Sequence, residues 1–171
     1  LKAFDDDVAG EVEAAFRAEG ITVHTGCSLT DARQDGNEKV IAFERDSGQH
    51  EVRAEAVFHG LGRSPNTGSL ALENSGVETD SGRILCDAHM RTSAPHIFAG
   101  GDCTGPHEIV HLAIQQGEVA AHNMLHRAEL HSMDYRLLIS VVFTDPQSAT
   151  VGLTEKAAKA QGISYLTASY P

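Results

Sequence analysis

Val8, Val12, Ala15 and Phe16 recur at the spacing of one helix face, and Glu13 and Arg17 stand one turn apart on the other. Asp5-Asp6-Asp7 puts carboxylates where free N–H groups and the positive end of the dipole lie, and Gly20 suits the residue just past a helix end. These positions predict a first helix ending at Gly20. The pattern then changes from helical spacing to alternation. Ile21-Thr22-Val23 reads as a strand, Gly26 as a turn and Ser28 to Ala32 as a second strand. Val40 to Glu44 and Glu51 to Ala54 alternate around Asp46-Ser47-Gly48, the pattern of a hairpin. Ala56-Val57-Phe58 predicts a short strand running into a Gly/Pro turn. Further on, the pattern predicts a strand at Ile84-Leu85-Cys86 and another at Ile97-Phe98-Ala99. A helix is predicted from about Glu108 to about His126, with Pro106 just before it. Its apolar stripe is read as Val110, Ala113, Gly117, Ala120 and Met124, and its polar stripe as His111, Gln115, Glu118 and His122. His122 and His126 are expected to decorate a solvated or interdomain face. Leu138 to Pro146 and Ala149 to Gly152 read as strands, Thr154 as the cap of a short helix ended by Gly162, and Ser164 to Thr167 as a last strand.

The elements from Asp5 to Phe58 make a helix, strand, hairpin and return strand, which is half of a nucleotide-binding α/β unit. The opening half of such a unit carries a glycine-rich G-x-G-x-x-G turn, and no such run occurs in the 171 residues. The chain opens on Leu1 and closes on Pro171 after a strand-like run, which predicts pieces of two or three domains rather than one complete domain. A formal charge of −11 argues against nucleic acid or an anionic membrane surface as partner. Leu1-Lys2-Ala3-Phe4-Asp5 does not read as a signal peptide, and no apolar run approaches membrane-spanning length. Cys27, Cys86 and Cys103 are widely spaced with no C-x-x-C, so a disulfide framework is not expected and a reducing cytoplasm fits.

The chemistry concentrates where Ile97-Phe98-Ala99 runs into Gly100-Gly101-Asp102. Ligands of open α/β sheets bind beyond the carboxyl ends of strands. Glycines there allow close approach, and a carboxylate offers acceptors to sugar-type hydroxyls. The next helix start supplies free N–H groups that favour a nearby negative charge.

The run Thr92 to Asp102 resembles the second flavin-binding signature of the pyridine nucleotide-disulfide oxidoreductases. Gly60-Leu61-Gly62-Arg63-Ser64-Pro65-Asn66-Thr67 resembles the segment by which that family's NAD domain returns to its flavin domain. Phe143-Thr144-Asp145-Pro146 and Val151-Gly152-Leu153-Thr154-Glu155 resemble the opening of its dimerisation domain. The resemblance is collinear over nearly the whole chain and is closest to the pattern shared by dihydrolipoamide dehydrogenase and mercuric reductase. It implies an α/β fold, α+β in its last part, in three pieces: the C-terminal half of a Rossmann-like NAD(P) domain over 1–62, the second segment of the FAD domain over 63–136, and the start of the dimerisation domain over 137–171. It implies that Asp102 holds the ribityl chain of FAD and that Glu108, Ile109, Val110 and His111 touch the flavin. It further implies that Gly62 lies near the nicotinamide end of NAD(P), and that Leu29 lines the adenosine side through its backbone. A homodimer, a small disulfide or dithiol substrate, and electron transfer between NAD(P)H and that substrate through the flavin follow by the same resemblance. The family's redox cysteine pair and its acid-base pair match no position here, so no catalytic residue is named, and the chain alone is expected neither to hold FAD nor to turn over. Mercuric or glutathione-type reduction is the alternative within the family.

His107-Glu108-Ile109-Val110-His111 also satisfies H-E-x-x-H, the pattern of zinc peptidases. The extended form needs a glycine and a histidine three and six places after the second His, where Ile114 and Gly117 stand. Pro106 would set His107 in the cap rather than mid-helix, so no metal is expected there. A zinc hydrolase and a non-catalytic interaction module are the readings from other classes.

Overall fold

The computed structural model describes residues 1–105 and 107–170. The chain divides into two compact units, one of Leu1–Gly62 with Phe143–Ser148, the other of Arg63–Val142 with the residues from Ala149 onward.

In the first unit, α1 runs Asp6–Ala18 with Asp5 at the N-cap position, and in its first turn Asp7 Oδ1 accepts from Val8 N–H at 2.8 Å. Val12 is buried, Val8, Ala15 and Phe16 are partly so, and Arg17 Nη2 meets Glu13 Oε1 at 2.6 Å on the outer face. The helix closes in a Schellman turn: Gly20 N–H donates to Arg17 and Ile21 N–H to Phe16, with Gly20 at φ +88°. Three antiparallel strands follow, β1 (Ser28–Asp35), β2 (Glu38–Arg45) and β3 (Gly48–Ala54), in the order β1-β2-β3. The β2–β3 turn is two residues long, Asp46 and Ser47, both at positive φ, the twist that two-residue hairpins favour. Val40, Ala42 and Phe43 of central β2 are buried, and β1 is exposed throughout, longer than its sequence suggested and interrupted by a bulge between Leu29 and Asp31.

Two expected strands of this unit do not form. Ile21–Val23 and Ala56–Phe58 belong to no strand, and Phe58 is 99% exposed. A strand is held by its ladder, and no described segment offers these apolar runs a partner. The ring of Phe43 lies between His24, at 5.0 Å, and His50, at 5.4 Å.

The second unit holds a small core of Val77, Ile84 and Ala94, with Leu72, Ile97 and Ala99 against it. A 3₁₀ turn (Leu72–Ser75) leads to the two-residue strands β4 (Thr79–Asp80) and β5 (Arg83–Ile84). The expected strand at 84–86 therefore ends at Ile84, and Cys86 makes a single bridge to Thr92. Ile97-Phe98-Ala99 likewise forms one bridge, Arg91 to Phe98, rather than a ladder, again for want of a flanking strand among the described residues. The Thr92 hydroxyl bonds back to its own loop, accepting from Ala94 N–H at 3.2 Å.

Helix α2 runs Val110–Leu125, and its buried stripe is Leu112, Gln116, Ala120 and Asn123. Of the expected apolar stripe only Ala120 is buried, while Val110 is 79% exposed and Met124 49%. The helix is rotated from its expected setting because two side-chain amides find backbone partners inside the unit. Asn123 Nδ2 donates to the carbonyls of His89 and His131, both at 2.9 Å, and its Oδ1 accepts from His131 N–H at 2.8 Å. Pro106, read as opening this helix, lies outside the described residues. His122 stacks on His131 at 3.6 Å and on His126 at 4.4 Å, so it joins a ring stack instead of simply facing solvent.

At the C-terminal end the first strand is shorter than expected, β6 (Ile139–Val142), and it pairs with β7 (Ser148–Val151), found one residue earlier than expected. Helix α3 (Glu155–Ala160) follows, with the Thr154 hydroxyl accepting from Ala157 N–H. Ser164–Thr167 is not a strand and Leu166 is fully exposed, since no partner for it exists among the described residues.

Candidate functional site

Gly101 takes φ +85°, a conformation that suits glycine, and turns the chain into a 3₁₀ turn at Asp102–Thr104. The Gly101 carbonyl accepts from Thr104 N–H at 3.0 Å and from Thr104 Oγ1 at 2.8 Å. This closed turn presents the Asp102 carboxylate, 40% exposed, to a cleft of about 260 Å³ lined by Arg63, Ser64, Pro65, Asn66, Cys103 and Glu108. Arg63 Nη2 meets Asp102 Oδ2 at 2.6 Å, and Arg63 Nε lies 3.7 Å from Glu108 Oε2. Arg83 Nη2 approaches the other Glu108 oxygen at 3.9 Å. The two guanidinium groups offset the negative charge that Glu108 would otherwise present to an anion at the helix start. Gly105, at φ +47°, makes room for Arg83: a Cβ there would fall 2.7 Å from Arg83 Cδ.

Ile109 is the N-cap of α2, and no side chain caps this end. Its carbonyl accepts from Ala113 N–H at 3.0 Å, which leaves the amides of the first turn as the helix's free donors. Asp102 and Glu108 therefore share one arginine, while Ile109, Val110 and His111 form the N-cap and first turn beside them. The other two site residues belong to the first unit. Gly62 takes φ +116° at its edge, and Leu29, 59% exposed, sits beside the β1 bulge.

His107 precedes α2, so His107 and His111 are not one turn apart on a helix. The His107 ring instead packs on Tyr135 at 5.4 Å. Among the described residues no group of three or more His, Cys, Asp or Glu side chains is placed to hold a metal. His107 and Tyr135 line a second cleft with Cys86 and Asp87. Burial pushes the Cys86 thiol up to about 11, which makes it a poor nucleophile. Asp87 is pulled the other way. Burial raises its carboxyl, but hydrogen bonds from the Arg91 amide and guanidinium and from the His89 amide outweigh that and hold it below the ordinary range.

Sequence reasoning missed Arg83 and Gln116 and saw Arg63 only as part of a turn. A basic residue inside the Gly-Arg-Ser-Pro-Asn turn, in a chain this acidic, was the available signal for Arg63.

Residues 1–117 match the family profile described as pyridine nucleotide-disulphide oxidoreductase, and 138–171 match that family's dimerisation domain. The chain belongs to this family, whose members use FAD and NAD(P)H. It is 43% identical over 163 residues to a mercuric reductase of Acidithiobacillus ferrooxidans, covering 93% of this chain and 28% of the relative. It is 37% identical over 164 residues to one from Streptomyces lividans (95% and 34%), and 33% identical over 168 residues to a dihydrolipoyl dehydrogenase of Mycobacterium tuberculosis (98% and 36%). The chain thus spans about a third of the length of these relatives. Among solved structures, LpdA from Mycobacterium tuberculosis superposes with a TM-score of 0.78 at 26% identity, covering 92% of this chain and 34% of LpdA. The flavoprotein disulfide reductase RclA from Escherichia coli superposes with a TM-score of 0.80 at 24% identity (95% and 36%), a likeness of fold. No helix among the described residues is long and apolar enough to cross a membrane.

Proposed function

We propose that this chain is the part of a flavin-dependent oxidoreductase that positions FAD, in an enzyme that moves electrons between NAD(P)H and a small disulfide or dithiol in the manner of dihydrolipoamide dehydrogenase. The observation that carries the reading is the Asp102 carboxylate, fixed by a closed glycine turn and presented to a cleft beside the uncapped start of α2. The donor and acceptor chemistry fits the group. Asp102 accepts hydrogen bonds from ribityl hydroxyls, and the amides at the N-cap and first turn of α2, on Ile109, Val110 and His111, stabilise negative charge on the flavin ring. FAD held there would supply the two-electron chemistry that links NAD(P)H to the substrate. Arg63 holds Asp102 and Glu108 in place and, with Arg83, keeps Glu108 from opposing that charge. Gly62 and Leu29 serve the NAD(P) side, Gly62 near the nicotinamide and Leu29 along the adenosine. No catalytic side chain is assigned to this chain.

The homodimer is proposed to form through the dimerisation-domain segment, whose Val151, Leu153 and Leu166 expose apolar surface. The three free thiols fit a reducing compartment such as the cytoplasm. Mercuric reduction is the second reading, favoured by identities that reach 37 and 43% to two mercuric reductases, although a third stands at 33%, level with dihydrolipoyl dehydrogenase. The test is Asp102→Ala in the full-length protein. A hydrogen bond to a charged acceptor contributes about 1.5–3 kcal/mol, so flavin affinity should fall roughly ten- to hundredfold. Unchanged flavin retention refutes the assignment. Oxidation of NAD(P)H driven by Hg(II) rather than by lipoamide decides between the two substrates.

A further inference from the structure

The turn that aims Asp102 is held from behind by a side chain to which the proposed function gives no role. Gln116, in the middle of α2, is 1% exposed. Its Oε1 accepts the Gly101 N–H at 2.6 Å, and its Nε2 donates to the Tyr135 hydroxyl at 2.9 Å. The Gly101 carbonyl is already taken by Thr104, so both polar groups of the residue before Asp102 are fixed, one by the 3₁₀ turn and one by Gln116. The approach is close. A Cβ on Gly100 would fall 3.1 Å from Gln116 Cβ, and one on Gly101 would fall 3.4 Å from Ala113 Cβ. The backbone of the glycine doublet therefore lies directly on α2 at Gln116.

Shape alone does not explain an amide here. An apolar side chain of the same length would fill the space and leave the Gly101 N–H without a partner, and buried amides are seldom left so. The amide's orientation is also determined. Gly101 needs the oxygen, so the nitrogen must face Tyr135, whose hydroxyl accepts from it. Tyr135 in turn is braced by the His107 ring.

We propose that Gln116 is a positioning residue for the flavin: its amide fixes the Gly101 N–H and thereby the direction of the Asp102 carboxylate, with Tyr135 locking the amide. This rests on the reading of Asp102 as a flavin contact. In the full-length protein, FAD affinity is measured by rebinding to the apoprotein for Gln116→Met, Gln116→Glu, Asp102→Ala and the Gln116→Met/Asp102→Ala double variant. Gln116→Met keeps the volume and loses both hydrogen bonds, and should weaken FAD ten- to hundredfold. Gln116→Glu keeps an acceptor for Gly101 and can accept the Tyr135 O–H, so at pH 8 it should bind within threefold of the parent. The double variant should bind no worse than Asp102→Ala alone, within about threefold, because Gln116 acts through Asp102. If Gln116→Met fails to fold, Tyr135→Phe, which removes only the lock, should weaken FAD three- to tenfold. Unchanged affinity in Gln116→Met, a Glu variant as weak as the Met variant, losses that multiply in the double variant, or no effect of Tyr135→Phe each overturn the proposal. If Asp102→Ala itself leaves FAD binding unchanged, the flavin reading fails first and takes this inference with it.

Discussion

Replacing Asn123 by alanine should loosen the second unit locally, and the size of the effect can be worked from its bonds. Asn123 is fully buried and makes three hydrogen bonds, two donated to the carbonyls of His89 and His131 and one accepted from His131 N–H. The groups left behind are not equal. The His131 carbonyl keeps a second partner, His89 Nδ1 at 2.7 Å, so only His131 N–H and the His89 carbonyl are orphaned. An orphaned buried group costs about 1–3 kcal/mol. His131 is itself an exposed residue, so water can recover part of this, and about 2–4 kcal/mol remains. Met133 N–H still bonds Ala88 carbonyl at 2.8 Å, so the segment should open locally rather than detach. The assay is native-state hydrogen exchange of the 128–136 peptide in the full-length protein, where His131 N–H should exchange roughly thirty- to a thousandfold faster. Asn123→Asp provides a control of opposite chemistry. It keeps the acceptor for His131 N–H but sets a carboxylate oxygen against two carbonyls, so it should be worse than alanine at neutral pH and recover as acid protonates it. Exchange within threefold of the parent in the alanine variant, or an aspartate variant that behaves as the parent, would refute the reasoning.

With its thiol raised to about 11, Cys86 should carry roughly one thiolate in a thousand at pH 8, so iodoacetamide should label it about a hundredfold more slowly than an ordinary cysteine. Labelling followed by mass spectrometry reads this, and a rate within tenfold of the unfolded chain contradicts it. The lowered carboxyl of Asp87 has a definite sign. Its contribution is present above the ordinary carboxylate range and is lost as pH falls through its own, lower value, so the Asp87–Arg91 turn should loosen only below about pH 4. Amide exchange at His89 and Arg91 followed from pH 6 to 3 should show that step. Asp87→Asn should show faster exchange already at pH 6 and lack the step, and an identical acid profile in the variant would remove Asp87 as its origin.

What could be read in advance divides by the distance over which a residue's partners lie. The face of α1, the Gly20 ending and the Asp46-Ser47 hairpin turn are set by residues within a turn or two, and each is found where the pattern put it. Ile21–Val23, Ala56–Phe58 and Ser164–Thr167 have strand composition, but pairing is non-local and the ladder partner is absent among the described residues. The site divides the same way. Asp102 announces itself through the two glycines beside it, whereas Arg63 reaches it across 39 positions of sequence, and nothing in either local pattern marks the meeting.

Helix α2 shows why its own facing could not be read from hydrophobicity. Leu112, Gln116, Ala120 and Asn123 fall on one face of a 3.6-residue helix, and that face alternates apolar with amide. A pattern that ranks residues by polarity turns Gln116 and Asn123 outward and brings Val110 and Met124 in. Burial of a side-chain amide is unfavourable only while its hydrogen bonds are unmade, and here loops bring backbone groups to each: Gly101 to Gln116, and His89 and His131 to Asn123. The two amides differ in what they hold. Asn123, near the C-terminal end of the helix, ties two scaffold loops together, while Gln116, two turns nearer the uncapped start, holds the turn that carries the carboxylate. A helix whose first turn offers donors and whose buried face grips the Asp102 loop fixes the spacing between those donors and that acceptor. That spacing is what a ligand bridging the two would require.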